Sequence, residues 1–219
     1  MSYEYLQERA IGVDLGQNKD YTAISILEKK QEYFDYPANQ NKDGDPFYLV
    51  RFLERPPLGT PYPQIIKRVQ EIINSVTKQN KQDPTLILDA TGVGKPIFDE
   101  FKVAGFNPMG IMIHGGDSVS RDGSIFHVPK RDLAGVLQVL YQQGRIKVSA
   151  KLPEAKTLNR ELLNFKVKIN LQTGHDSYEA WRESEHDDLV LSVACAAWYM
   201  ERDRGRGSMV PVTIRALMH

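Results

Sequence analysis

Apolar and polar positions along the chain change period several times, and each change marks an element. Ala10 to Leu15 is a short apolar run that contains Asp14 and leads into Gly16. A polar turn, Gln17 to Asp20, separates it from a second β-rich run, Thr22 to Leu27, and that spacing suits an antiparallel hairpin. Lys42-Asp43-Gly44-Asp45-Pro46 punctuates the chain before a third strand, Phe47 to Leu53, so the three strands would form a meander. Pro56-Pro57 then breaks the chain. From Gln64 the period lengthens: Ile65, Ile66, Val69, Ile72, Ile73 and Val76 fall on one face of a helix of about four turns. Thr85 to Leu88 reads as a short buried strand ending at Asp89, and Met109 to Ile113 as another. Between them, Thr91-Gly92-Val93-Gly94-Lys95 leads into a helix with Pro96 in its first turn and Gly105 as its stop.

The second half is read in the same way. His114 to Ser124 is a polar, Gly-containing loop, and Leu133, Val136, Leu137 and Leu140 mark a helix that Gly144 ends. Ile146 to Val148 is a short extended piece, followed by a helix over Pro153 to Asn164. Phe165 to Leu171 sets Lys166 and Lys168 against Val167 and Ile169, the alternation of a half-exposed strand, which Thr173-Gly174 can turn into Ser177 to Trp181. A last helix begins near His186 and runs to about Arg202, and residues 204–219 read as a loose tail. A meander followed by alternating helices and strands predicts one α/β domain over 1–219, a mixed sheet covered by helices, with its core at about 10–203.

Composition narrows the function classes. Of 219 residues, 41% are hydrophobic and 26% charged, which suits a soluble globule and excludes a largely disordered chain. The single cysteine, Cys195, excludes an intrachain disulfide and a Cys-based zinc cluster. No apolar leader or membrane-length run occurs, so the expectation is a cytoplasmic protein without a membrane partner. Basic and acidic residues balance at 28 each, but not evenly along the chain. From Arg121 to Lys168 ten bases, Arg121, Lys130, Arg131, Lys166 and Lys168 among them, stand against four acids. That window is +6 and the remainder −6, a distribution that suits a phosphate-binding face beside an acidic pocket.

The acids carry the chemistry. Asp14 and Asp89 each sit at the end of an apolar strand, where a charge is costly unless it is paired, solvated or bound to a metal. Neighbouring strands would bring both to one rim, and Asp187 and Asp188, at the start of the last helix, could face it. Carboxylates gathered without a cation repel, and their pKa values rise. A hard divalent ion such as Mg²⁺ removes the conflict, and two of them about 4 Å apart can activate water and stabilise the leaving oxygen of a phosphodiester. The same acids also have structural uses. Strand-end Asp residues cap turns, and Asp187 can close a capping box with Ser184.

Ile-Gly-Val-Asp-Leu-Gly-Gln-Asn-Lys-Asp-Tyr-Thr-Ala-Ile-Ser-Ile-Leu at 11–27, Leu-Asp-Ala-Thr-Gly-Val-Gly at 88–94 and His-Asp-Asp-Leu-Val-Leu-Ser at 186–192 resemble the nuclease domain of phage terminase large subunits. The likeness spans about residues 10–203 and implies an RNase H-like fold, shared with Holliday-junction resolvases. It further implies metal-dependent endonucleolytic cutting of double-stranded DNA during viral genome packaging, with two Mg²⁺ or Mn²⁺ ions per site. Carried over by position, Asp14 is the central acid that contacts both metals, Asp89 is the second, and Asp187-Asp188 supply the third, with Asp188 favoured as the closer ligand. Asp20 matches an accessory acid. Lys166 and Lys168 match a DNA-facing hairpin, and Arg121, Lys130 and Arg131 flank a loop that could grip DNA.

The chain departs from the family in lacking an N-terminal packaging ATPase. Thr91-Gly92-Val93-Gly94-Lys95-Pro96 misses the first glycine of a P-loop and has Pro96 where Ser or Thr would hold Mg²⁺, so ATP binding is not assigned to it. The resemblance therefore implies an excised domain or split gene product, acting in the cytoplasm of the phage-infected host with a packaging ATPase and a portal or small terminase. Three rivals remain at this point. A free-standing resolvase-like nuclease uses the same acids. An actin-like or sugar-kinase-like ATPase shares the Asp14-Leu15-Gly16 hairpin but needs a second subdomain. A non-catalytic DNA-binding domain would have no use for all four acids. Cys195, Trp181 and Trp198 read as packing residues, and His114, His127, His175 and His186 as surface groups.

Overall fold

The computed structural model describes residues 3–16, 20–34, 45–91, 94–171 and 187–202, with the side chains of 3–6, 32–34, 94–95 and 166–171 excepted. Its centre is an eight-stranded mixed sheet. The strands are β1 (Tyr3–Asp14), β2 (Ala23–Phe34), β3 (Phe47–Glu54), β4 (Thr85–Asp89), β5 (Met109–His114), β6 (Ser120–Asp122), β7 (Ile125–Pro129) and β8 (Ile146–Val148). Their order across the sheet is β6-β7-β5-β4-β1-β2-β3-β8. The helices are α1 (Tyr62–Asn80), α2 (Gly94–Val103), α3 (Lys130–Gln142), α4 (Ala155–Leu171) and α5 (Asp188–Arg202). Among the described residues no helix is long and apolar enough to cross a membrane.

The expected meander is present: β1 pairs with β2 and β2 with β3, both antiparallel. Beyond it β4, β5 and β7 run parallel to β1, each joined by a crossover. Alternation along the strands divides the core into two layers. Ile11, Val13, Ile24, Leu86 and Leu88 face α1 and α2, where Ile65, Val69, Phe98 and Phe101 meet them. Ala10, Leu27, Ile87 and Ile111 face the opposite layer of α3, α4 and α5.

α5 is the axis of that second layer. Every residue from Asp188 to Trp198 is buried, which is the signature of a helix enclosed on all sides. It lies on the sheet at Gly12, where an added Cβ would come within 1.9 Å of the Ser192 carbonyl oxygen. A glycine at this position of β1 therefore sets how closely the helix backbone approaches the strand.

Two expectations are corrected. Phe165 to Leu171 does not form a strand: α4 continues through it to Leu171, which puts Lys166 and Lys168 on a helix. The buried positions Ala155, Leu158, Glu161 and Phe165 run on at helical spacing, and that face outweighs a short Lys-Val-Lys-Ile alternation that fits both periods. The returning strand proposed for Ser177 to Trp181 lies outside the described residues, as do His175, His186 and the tail. The loop expected over His114 to Ser124 holds β6, and β7 follows it. Gly123-Ser124 makes the turn between them, with Gly123 at a φ of 57°.

Candidate active site

Parallel pairing of β1 with β4 sets Asp14 directly opposite Asp89. Because side chains alternate along a strand, Asp14 shares the α5 face with Ala10 and Gly12, and Asp89 shares it with Ile87. Neighbouring strands lie about 4.8 Å apart, so the two carboxyl groups leave adjacent backbones toward the same helix. The first residue of α5 is Asp188, whose N-terminal turn meets this rim. The four acids expected at the centre of the site thus come from three separate elements and converge.

Their electrostatics follow from the crowding. Burial first, and then the charges of Asp89, Asp188, Asp187 and Glu161, push the Asp14 carboxyl well above the ordinary carboxylate range. Asp89 is also raised, by burial and by Asp187, against the pull of hydrogen bonds from Thr91 and the charge of Lys130. The Thr91 N–H donates to Asp89 Oδ1 at 2.8 Å, while Thr91 Oγ1 accepts from the Ile113 N–H at 2.7 Å, tying the turn after β4 to β5. Asp89 therefore does cap its turn as well as face the cluster. Behind Asp14, the Gly16 N–H donates to Thr22 Oγ1 at 3.2 Å and the Tyr62 hydroxyl donates to Gly16 O at 3.2 Å, which closes the turn toward β2.

Two residues that the sequence reading did not select stand at the same rim. Arg55, just beyond the end of β3, donates from Nη2 to Asp188 Oδ2 at 2.6 Å and pairs through Nη1 with Glu161 Oε1 at 3.5 Å. Its guanidinium lies 4.2 Å from the centre of the Tyr21 ring. Glu161, on α4, accepts the Val190 N–H at 3.0 Å; burial raises its carboxyl to about 7 against that bond and Arg55, with Asp188 and Asp187 adding to the rise. A signal for Arg55 existed, since the meander puts the end of β3 on the rim of Asp14: Ile24 opposes Glu54, one step from the Ala23–Asp14 pair. Glu161 had only the helical face of α4 to mark it.

The other candidates divide. Lys130, the first residue of α3, follows β7 at the rim and its charge reaches Asp89. Asp20 is exposed in the turn between β1 and β2. Arg131 is engaged by Asp117, through the backbone oxygen at 2.9 Å and the carboxylate at 2.5 Å. Arg121 lies on edge strand β6, with its guanidinium 4.7 Å from the Phe126 ring centre. Cys195 is fully buried, and burial followed by Asp89 and Asp14 pushes its thiol up, the opposite of what a nucleophile requires. Trp198 packs in the core, edge-on to Phe126.

In residue type and in excess negative charge, Asp14, Asp89, Asp187 and Asp188 fit a hard divalent cation. They are gathered rather than closed: among the described residues no three His, Cys, Asp or Glu side chains surround a single point. Arg55 supplies positive charge directly to Asp188.

No family model matches the chain, and no curated protein matches it significantly. Among solved structures, it is similar to the large terminase nuclease from thermophilic phage G20c, with 20% identity, a TM-score of 0.51 and coverage of 87% of this chain and 81% of that one. A weaker likeness, TM-score 0.48 and 14% identity over 91% of this chain and 86% of the other, is to the Mn-soaked human cytomegalovirus terminase nuclease domain. The G20c likeness establishes the fold: the mixed sheet and its flanking helices have the RNase H-like arrangement of terminase nucleases.

Proposed function

We propose that the chain is a divalent-metal-dependent endonuclease that cuts double-stranded DNA, and that it serves as the nuclease part of a viral DNA-packaging terminase. The observation that carries this reading is the pairing of Asp14 with Asp89 across β1 and β4 beneath the acidic start of α5. The G20c fold supports the biological setting. Asp14, Asp89 and Asp188 would hold two Mg²⁺ or Mn²⁺ ions, with Asp187 and Asp20 in support. Bound there, the ions supply Lewis acidity that activates the attacking water and stabilises the leaving 3′ oxygen. Asp14, central to the cluster, would be the acid shared by the ions, and Thr91 fixes the Asp89 carboxylate. Lys130 offers its charge to a phosphate at the rim. Arg121, Arg131, Lys166 and Lys168 are the further candidates for contacts with DNA phosphates. Within an infected cell, a packaging ATPase and a portal or small terminase would govern when the DNA is presented.

The test is supercoiled plasmid incubated with the protein in Mg²⁺, Mn²⁺ or EDTA, alongside Asp14→Asn. Nicking and linearisation that need metal and vanish in the variant are expected. Intact plasmid in both metals, with protein shown to be folded, would sink the reading.

A further inference from the structure

We propose that Arg55 and Glu161 are positioning residues that hold Asp188 in place for metal binding, a role that rests on the metal-site reading above. The first four N–H groups of a helix lack partners within it, and α5 begins in a buried setting where water cannot serve them all. Glu161 meets the Val190 N–H at 3.0 Å from α4, doing from a distance of 29 residues what a local capping side chain does elsewhere. It thereby fixes the turn that carries Asp188. Arg55 acts on the carboxylate itself. One arm of its fork takes Asp188 Oδ2 at 2.6 Å, the other reaches Glu161 at 3.5 Å, and the Tyr21 ring restrains the guanidinium plane.

Without that bracket, the negative charges of Asp14, Asp89 and Asp187 would drive Asp188 away from the cluster. All three charged groups are largely enclosed, with side-chain exposures of 13% for Arg55, 5% for Glu161 and 8% for Asp188. Arg55 Nε is buried with no hydrogen-bond partner among the described residues, and Glu161 Oε1 has no closer partner there than Arg55 Nη1 at 3.5 Å. A bracket that only served stability would satisfy those atoms. An unpaired Nε and a long Oε1 contact fit a geometry set by where Asp188 must stand.

The test is Mn²⁺ binding by calorimetry and by the loss of the free-ion electron spin resonance signal, with folding checked by circular dichroism. Arg55→Lys keeps the charge but loses the fork and the stacking, and is expected to weaken Mn²⁺ binding by about 10-fold or more. Glu161→Gln keeps an acceptor for the Val190 N–H but loses the charge that holds Arg55, and is expected to weaken binding by a smaller factor, about 3-fold. In an Asp188→Asn background neither change should lower affinity further, because both act through Asp188; a merely structural residue would act equally in both backgrounds. Binding that Asp14→Asn abolishes but Arg55→Lys leaves within 2-fold, or tightens, overturns this proposal alone. Wild-type protein that binds no Mn²⁺ overturns the metal-site reading, and the positioning role with it.

Discussion

The two ends of α5 are built from the same kinds of group and reach opposite states. At the C-terminal end, Glu201 is enclosed by Arg145, whose Nη2 lies 2.6 Å from Oε1, and by the Tyr48 hydroxyl, which donates to Oε1 at 2.5 Å. Arg145 is itself anchored to the Pro46 carbonyl at 2.7 Å and to Gln143 at 3.2 Å. One acid meets one base and one hydroxyl, and the charges match. At the N-terminal end, Asp14, Asp89, Asp187, Asp188 and Glu161 gather round Arg55, with the Lys130 charge acting on Asp89 from the side. Burial and like charge raise carboxyl groups there, and Arg55 Nε is buried with no hydrogen-bond partner among the described residues. A balanced buried pair holds parts of a fold together. An unbalanced cluster on a buried helix start costs stability, and that cost motivates the metal-site reading proposed above.

Because α5 joins both ends, the largest effect is expected from its seat on the sheet. Gly12→Val puts a branched side chain where even a Cβ meets the Ser192 carbonyl at 1.9 Å. The helix must move as a body, with an expected loss of at least about 4 kcal/mol in urea unfolding. A loss of less than about 1 kcal/mol would show that α5 is not held at this distance, and the coupling of its two ends would fail.

Removing one negative charge at each end is then expected to give opposite signs. Glu201→Gln leaves Arg145 enclosed without its counter-charge and is expected to destabilise by about 3 kcal/mol. Asp14→Asn removes one of several mutually repelling charges and is expected to stabilise the metal-free protein by about 2 kcal/mol while abolishing its cleavage of plasmid DNA. The pair would be compared by thermal unfolding in EDTA. If both variants lose stability, the contrast between the ends is wrong, and Asp14 is a structural acid.

The sequence displays part of this contrast. The meander, α1, β4 and β5 are legible because their apolar spacing has one period and Gly or Pro punctuates their ends. Asp14 and Asp89 stand out for a related reason: a charge that ends an apolar run violates the pattern around it. Glu201 and Glu161 violate nothing, since each occupies a helix in which acids are common. Their partners lie 56 and 29 residues away, so only the packed fold distinguishes the balanced acid from the one at the site. Arg55 and Asp188 are 133 residues apart. The extension of α4 and the β6–β7 hairpin escaped for another cause, because both are short runs that satisfy two periods at once and tertiary packing decides between them.

The smallest expected effect comes from a buried acid that belongs to neither end. Glu28, midway along β2, lies between Arg9 at 2.6 Å and Arg51 at 2.8 Å on the flanking strands, with Lys30 at 3.5 Å. Burial alone would raise its carboxyl, but hydrogen bonds from Arg51, Arg9 and Gln7 outweigh it and hold the group at about 2, below its ordinary 4.5. A depressed folded value means that the charged form is favoured by folding. The stabilisation is therefore complete above about pH 4.5 and is lost as the pH falls toward 2. After allowance for solvent screening this is on the order of 1 kcal/mol, read as a fall in the urea midpoint across that window that Glu28→Gln flattens. Glu28 has the cations that the rim acids lack, so it sharpens the comparison: burial raises an acid unless partners offset it, and at the start of α5 too few partners do. Parallel pH curves for the two proteins would mean that Glu28 is not held by its arginines, and the distinction between balanced and unbalanced acids would rest on Glu201 alone.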